Sequence, residues 1–135
     1  MTEWVESQKV PGLTMEMKQL EGRTPLIFME VEATEPDAGT VLLYGHMDKQ
    51  PPFEGWTAPW APYDPIMTKD GKLYGRGGAD DGYAIFAAIT ALKAIKATGK
   101  KHGRAVVMIE ACEESGSPDL PMYIEHFKER IGSPG

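Results

Sequence analysis

Three short stretches carry side chains that could do chemistry together. Gly45-His46-Met47-Asp48 ends an apolar run with an imidazole and, two residues on, a carboxylate. Gly75-Arg76-Gly77-Gly78-Ala79-Asp80-Asp81-Gly82 sets two carboxylates in a glycine-rich loop, and Ile109-Glu110-Ala111-Cys112-Glu113-Glu114-Ser115-Gly116 places more acids after a second apolar run. One imidazole with several carboxylates is a hard donor set suited to divalent cations. In extended backbone His46 and Asp48 share a face, so Asp48 can accept the second imidazole N–H and fix the tautomer. Glu113 and Glu114, if extended, point opposite ways. One can then ligate a metal while the other takes a proton from water.

The elements that must position these residues follow from pattern. Leu13, Met15 and Met17 alternate with polar neighbours, the period-2 signature of a half-buried strand, and Pro25 to Val31 is a second strand joined to it through Glu21-Gly22-Arg23-Thr24. Thr40 to Tyr44 is β-prone and unalternated, which predicts a central strand covered on both faces. Five prolines between Gln50 and Pro65 exclude a long regular element there. An Asp70-Gly71 pair inside Ile66 to Tyr74 predicts a hairpin. Tyr83 to Thr98 carries an apolar stripe at helical spacing stopped by Gly99. Arg104 to Glu110 is another β-run, and Leu120 to Arg130 an amphipathic helix with Asp119 as N-cap. Trp4 and Val5 are expected to close a short helix before Pro11-Gly12.

The order strand, helix, strand over residues 40–110 predicts a crossover joining parallel strands in an α/β mixed sheet. Sites in such sheets form beyond the carboxyl ends of strands, which is where His46 and the Glu113-Glu114 pair fall. The 135 residues suffice for one core, so residues 1–135 are read as one domain. Twenty acidic against fourteen basic residues give a net charge of −6, which argues against a nucleic-acid partner. Cys112 is the single cysteine, and Met1-Thr2-Glu3-Trp4 has neither a basic nor an apolar leader pattern, so a cytoplasmic protein without internal disulfides is expected. No run approaches the roughly 18 apolar residues of a membrane span, and no membrane partner is expected.

In order and approximate separation, the three motifs resemble the signatures of the co-catalytic di-zinc metallopeptidases. That family includes glutamate carboxypeptidases, aminoacylases, carnosine-type dipeptidases and succinyl-diaminopimelate desuccinylases. The resemblance implies part of a phosphorylase/hydrolase-like zinc exopeptidase catalytic domain, an α/β fold with crossover helices, holding two Zn2+ or, in their place, Mn2+ or Co2+. It also implies that His46 binds one metal, Asp80 bridges both and Glu114 binds the other. Asp48 would orient His46, and Glu113 would be the general base for the water that attacks an amide carbonyl. A small peptide or an N-acyl amino acid would be the substrate. A cis peptide at Asp80-Asp81 is a further expectation, eased by the surrounding glycines.

Two further family ligands, a later carboxylate and a distant histidine, have no counterpart before Gly135. Nor does the lid domain through which a homodimer would form. The expectation is therefore an amino-terminal part of a catalytic domain whose sites keep two protein ligands each, with weak metal binding and little hydrolysis by this chain alone. The alternative is a catalytically inactive remnant used for binding or assembly.

Other residues have plainer readings. The loop from Gly75 fails as a dinucleotide motif because its third glycine position is Asp80. Cys112 is expected to be a buried thiol, and His102 and His126 to be surface or structural residues. Phe53, Trp56 and Trp60 are expected to pin the proline-rich loop, while Arg76 could meet substrate or hold Asp81.

Overall fold

The structure is a computed structural model describing residues 1–134. Strands β1 (Leu13–Lys18) and β2 (Leu26–Val31) form an antiparallel hairpin with Leu13 opposite Val31 and Lys18 opposite Leu26. Strand β3 (Thr40–His46) follows, then a short hairpin of β4 (Ile66–Met67) and β5 (Leu73–Tyr74), then β6 (Arg104–Glu110). The main sheet runs β1-β2-β6-β3, with β6 antiparallel to β2 and parallel to β3.

The unalternated runs in β2 and β6 have a direct cause: both of their faces are buried. Ile27, Met29, Val107 and Ile109 pack with Val5 of helix α1 (Thr2–Ser7) and with Ile85 and Ile89 of helix α2 (Ala84–Ala97). The alternate residues Leu26, Phe28, Val106 and Met108 pack on the other side against Tyr123, Phe127 and Ile131 of helix α3 (Leu120–Ile131). Phe28 and Phe127 stack with centroids 4.0 Å apart. Period 2 thus survives in the partners of each residue although polarity does not alternate. Gly99, at φ 66°, ends α2 as its pattern predicts.

Three expectations need correction. Strand β3 is not central: among the described residues only β6 pairs with it, and Val41 and Tyr44 are 52% and 48% exposed. An apolar run reports the polarity of a strand's two faces and says nothing about how many strands flank it. The strand also runs two residues further than its β-prone composition suggests, so His46 itself sits on the ladder opposite Glu110. Asp119 is the N-cap of α3 as its pattern predicts, but its side chain makes no capping bond to the helix. Its carboxylate instead accepts from Thr24 N at 2.8 Å, Thr24 Oγ1 at 2.9 Å and Arg23 Nη1 at 2.9 Å, tying the β1–β2 connection to the start of the helix. Trp4 and Val5 lie inside α1 rather than at its close.

The crossover β3, α2, β6 brings the start of α2 against the end of β3 very closely. A Cβ at Gly45 would overlap that of Ala84 and come within 2.9 Å of Asp81 Oδ2. Gly45→Ala should therefore destabilise the fold by about 1–3 kcal/mol, the usual cost of overpacking. Urea unfolding of the two proteins measures it.

Candidate metal centre

The parallel strands β3 and β6 end together, and the chain stays in register one step beyond, where Met47 N donates to Glu110 O at 2.8 Å. His46 is 7% exposed. Its Nδ1 lies 3.3 Å from both the carbonyl oxygen and Oδ1 of Asp48, and its Nε2 lies 3.2 Å from Asp80 Oδ1. Asp48 therefore sits where the spacing allowed, beside the inner ring nitrogen, leaving the outer nitrogen aimed at Asp80.

After β6 the chain does not stay extended, which corrects the expectation that Glu113 and Glu114 face apart. Glu113–Ser115 forms a 3₁₀ turn in which Ser115 N and Ser117 N donate to Cys112 O, and Gly116, at φ 88°, donates to Glu113 O at 2.7 Å. The Asp48 carboxylate accepts Glu113 N at 3.2 Å on one oxygen and Glu114 N at 3.0 Å on the other. Both glutamates consequently reach the same rim. Glu113 Oε2 lies 3.6 Å from His46 Nε2, and ligand atoms of His46, Asp80 and Glu114 all lie within 4.8 Å of one another.

Asp81, beside the exposed Asp80, is buried and has a different task. One carboxylate oxygen accepts His46 N at 3.1 Å, and the other accepts the first amides of the approaching helix, Gly82 N at 2.5 Å, Tyr83 N at 3.1 Å and Ala84 N at 3.1 Å. Burial opposes its charge, but the N–H groups of His46, Ala84, Gly82 and Tyr83 outweigh that and hold its carboxyl below the ordinary range. The carboxylate at the start of α2 also suits the helix dipole. Arg76 does not hold Asp81. Its guanidinium lies over Phe53 and Trp56, at 5.4 and 5.7 Å from their centroids. The Asp80-Asp81 peptide is trans, against expectation, and the cis bond among the described residues is Ala58-Pro59.

The donor set fits a divalent cation. Glu114 presents one oxygen to Gln50 Nε2 at 2.6 Å, while its other oxygen, Oε1, is buried with no hydrogen-bond partner. A buried acceptor without a donor is costly unless a cation supplies one. Burial disfavours the His46 imidazolium, yet the hydrogen bond to Asp80 and the Asp48 and Glu113 carboxylates outweigh it and raise its pKa. The cluster thus already stabilises positive charge where the ligand atoms converge. Asp80, whose side chain is 80% exposed, leaves that point open to solvent.

Other residues fall away from the cluster. Cys112 is buried, and its thiol pKa is raised by burial first and by Glu110 besides. Trp60 stacks on Tyr74 at 4.1 Å, which fastens the proline-rich loop to the β4–β5 hairpin, and Trp56 Nε1 donates to Pro52 O within the loop. His102 lies at the other end of the sheet beside Thr34, and His126 is exposed on α3. Among the described residues no helix is long and apolar enough to cross a membrane.

A family model described as Peptidase family M20/M25/M40 matches residues 42–133. The chain belongs to that family. The human Beta-Ala-His dipeptidase is 38% identical over 113 residues, covering 81% of this chain and 21% of that protein. A succinyl-diaminopimelate desuccinylase of Nitrosospira multiformis is 35% identical over 82 residues, 59% of this chain and 21% of that protein. The crystal structure of an M20 family metallo-carboxypeptidase from Sulfolobus solfataricus superposes with a TM-score of 0.78 at 26% identity, covering 97% of this chain and 29% of that one. The M20 chain described here thus spans about a fifth of the length of these curated relatives.

Sequence reasoning missed Gln50, the helix-start role of Asp81 and the contact of Lys49 Nζ with Asp81 O. Asp81 alone had a signal, a carboxylate three residues before the first residue of the helical stripe. Its depressed pKa sets a sign for pH dependence. The contribution is complete above 3.8, the ordinary value for an Asp, and is lost as pH falls through the lower folded value. Asp81→Asn should cost about 2 kcal/mol at neutral pH, the scale of charge-assisted hydrogen bonds. In chelator, the gap between the two proteins should close as pH drops below 3.8, as urea titrations across pH would show.

Proposed function

We propose that this M20 domain contributes the metal-binding rim of a zinc-dependent hydrolase of amide bonds in small peptides or N-acyl amino acids. The observation that carries the reading is the convergence of His46, Asp80 and Glu114, from three separate segments, with all ligand atoms within 4.8 Å. Family membership and the relatives named as dipeptidases support it. The single, buried and free thiol of Cys112 agrees with a reducing compartment, and we propose a cytoplasmic location.

His46 Nε2, Asp80 and the free oxygen of Glu114 are the donors that would hold the metal, and Asp80 would be the one shared between two ions. A divalent ion there supplies Lewis acidity, polarising a substrate carbonyl and acidifying nearby water. The chain's own residues do the rest. Asp48 would accept a hydrogen bond from His46 Nδ1–H, which leaves Nε2 as the ligating atom and fixes the ring. Glu113 Oε2, 3.6 Å from His46 Nε2, is the free carboxylate nearest the cluster and would accept the proton of an attacking water, then return it to the departing amine. Gln50 holds Glu114 by one oxygen so that the other stays turned inward.

With Asp80 shared, each ion would have two protein donors, so Zn2+ should bind this chain measurably but more weakly than a closed four-ligand structural site. Because Nε2 must shed a proton to ligate, and its pKa is raised, binding should tighten as pH rises through that value. Competition with a chromophoric chelator measures both. Asp80→Ala should abolish binding of every equivalent, since the bridge serves each ion, whereas Glu113→Gln should leave affinity within a few-fold and remove hydrolysis of dipeptides such as β-Ala-His in a longer protein carrying this domain. Unchanged zinc stoichiometry in Asp80→Ala would overturn the bridging role.

A further inference from the structure

Directly beneath the rim lies a buried acid that the reaction does not use. Glu110, the last residue of β6, is 2% exposed. Its Oε1 accepts from the Tyr44 hydroxyl of β3 and from Ser117 Oγ at 2.8 Å, and its Oε2 accepts from the Cys112 thiol at 3.2 Å. Among the described residues all three of its side-chain partners are neutral, so no counter-ion offsets the burial of this carboxylate. A buried acid without a cationic partner is a costly way to fill space, and an apolar side chain of similar size would do that better.

The identity of the partners is informative. Cys112 and Ser117 are the two feet of the turn that carries Glu113 and Glu114, and the Cys112 carbonyl also accepts Ser115 N and Ser117 N. Asp48 holds the same turn from the opposite side, at its crest, through Glu113 N and Glu114 N. Tyr44 stands two residues before His46 on the neighbouring strand. One side chain therefore joins both ends of the glutamate-bearing turn to the strand that presents the histidine.

We propose that Glu110 is a positioning residue, whose buried carboxylate sets the height of the Glu113-Glu114 turn relative to His46 and thereby the spacing of the metal donors. The role in metal binding rests on the reading of the rim as a zinc site, whereas the tether itself does not. Both oxygens of Glu110 act as acceptors, so a glutamine keeps the more important half of the arrangement. Its amide oxygen can receive Tyr44 and Ser117, and only the weak thiol bond is forfeited.

The test combines amide hydrogen exchange on the metal-free protein with Zn2+ affinity from chelator competition, for Glu110→Ala, Glu110→Gln, Tyr44→Phe and Ser117→Ala. In Glu110→Ala, exchange at Ser115, Gly116 and Ser117 should rise about tenfold or more relative to core amides such as Val107, and zinc affinity should fall by about 10- to 100-fold, the range seen when groups that orient ligands are removed. Glu110→Gln should restore most of both. Tyr44→Phe and Ser117→Ala should each loosen the same three amides by less. They carry the test if Glu110→Ala does not fold. Loop exchange at wild-type rates in these variants, loosening spread evenly over the whole sheet, or a folded Glu110→Gln as impaired as Glu110→Ala would each overturn the proposal. A wild-type protein that binds no zinc would instead overturn the hydrolase reading, with the exchange measurement still deciding the tether.

Discussion

Everything at the rim depends on the last rungs of one parallel ladder. His46 lies opposite Glu110, and Met47 N reaches the Glu110 carbonyl, so β3 and β6 release their chains at the same height and side by side. The two segments that leave those strands, 47–50 and 111–117, are then close enough for the Asp48 carboxylate to cap the turn carrying Glu113 and Glu114. Helix α2 must return to this same edge because it is the crossover between the two strands, and it arrives with Asp80 and Asp81 at its start. Slip of the ladder by one residue would reverse which faces His46 and Glu110 present and scatter the donors.

A second constraint is electrostatic. Asp48, Asp80, Asp81, Glu110, Glu113 and Glu114 crowd one end of a protein whose net charge is already −6. The structure separates those acids by the donors they receive. Asp81 and Asp48 are satisfied by backbone amides and Glu110 by hydroxyls and a thiol. Among the described residues Glu114 is satisfied on one oxygen only, and the imidazole is the one hydrogen-bond partner of the Asp80 side chain. Acids used as staples have their lone pairs occupied, and those offered as ligands do not. That difference, rather than proximity alone, distinguishes a metal site from a patch of negative charge.

How much of this was legible follows from the same physics. The three segments that hold His46, Asp80 and Glu114 were legible because each follows an apolar run or opens a helical one, and chain topology brings those points to one edge; the choice of those three residues within the segments came from the family resemblance. Helix α2, the β1–β2 hairpin and β6 were legible for the same reason: their periodicities report on burial. What stayed hidden depends on contacts between segments far apart in sequence. The edge position of β3 needs knowledge of which strand lies beside it, and the Asp119 carboxylate, though at the N-cap of α3, turns to Thr24, 95 residues away. The 3₁₀ turn at Glu113 forms because Asp48 receives two successive amides, a feature that no pattern within residues 109–116 contains. Gln50 gave no signal at all, being one polar residue in a proline-rich segment.

The glycine-rich loop illustrates how a correct motif can carry a wrong reason. Its glycines were expected to accommodate a cis peptide after Asp80, but that bond is trans. What they make room for is a side chain. Lys49 runs from the end of β3 across the loop to donate to the Asp81 carbonyl, and a Cβ at Gly77 would overlap its Cδ and Cε. A Cβ at Gly82 would come 2.7 Å from the Gly77 carbonyl oxygen and 3.1 Å from Lys49 Nζ. Gly77 also adopts φ 79°, which side chains rarely tolerate. The lysine therefore clamps the loop from above while Asp81 anchors it from below through His46 N and the first amides of α2. Asp80 is left projecting beside them, free to serve as a ligand because the next residue, Asp81, is held by both its carbonyl and its carboxylate.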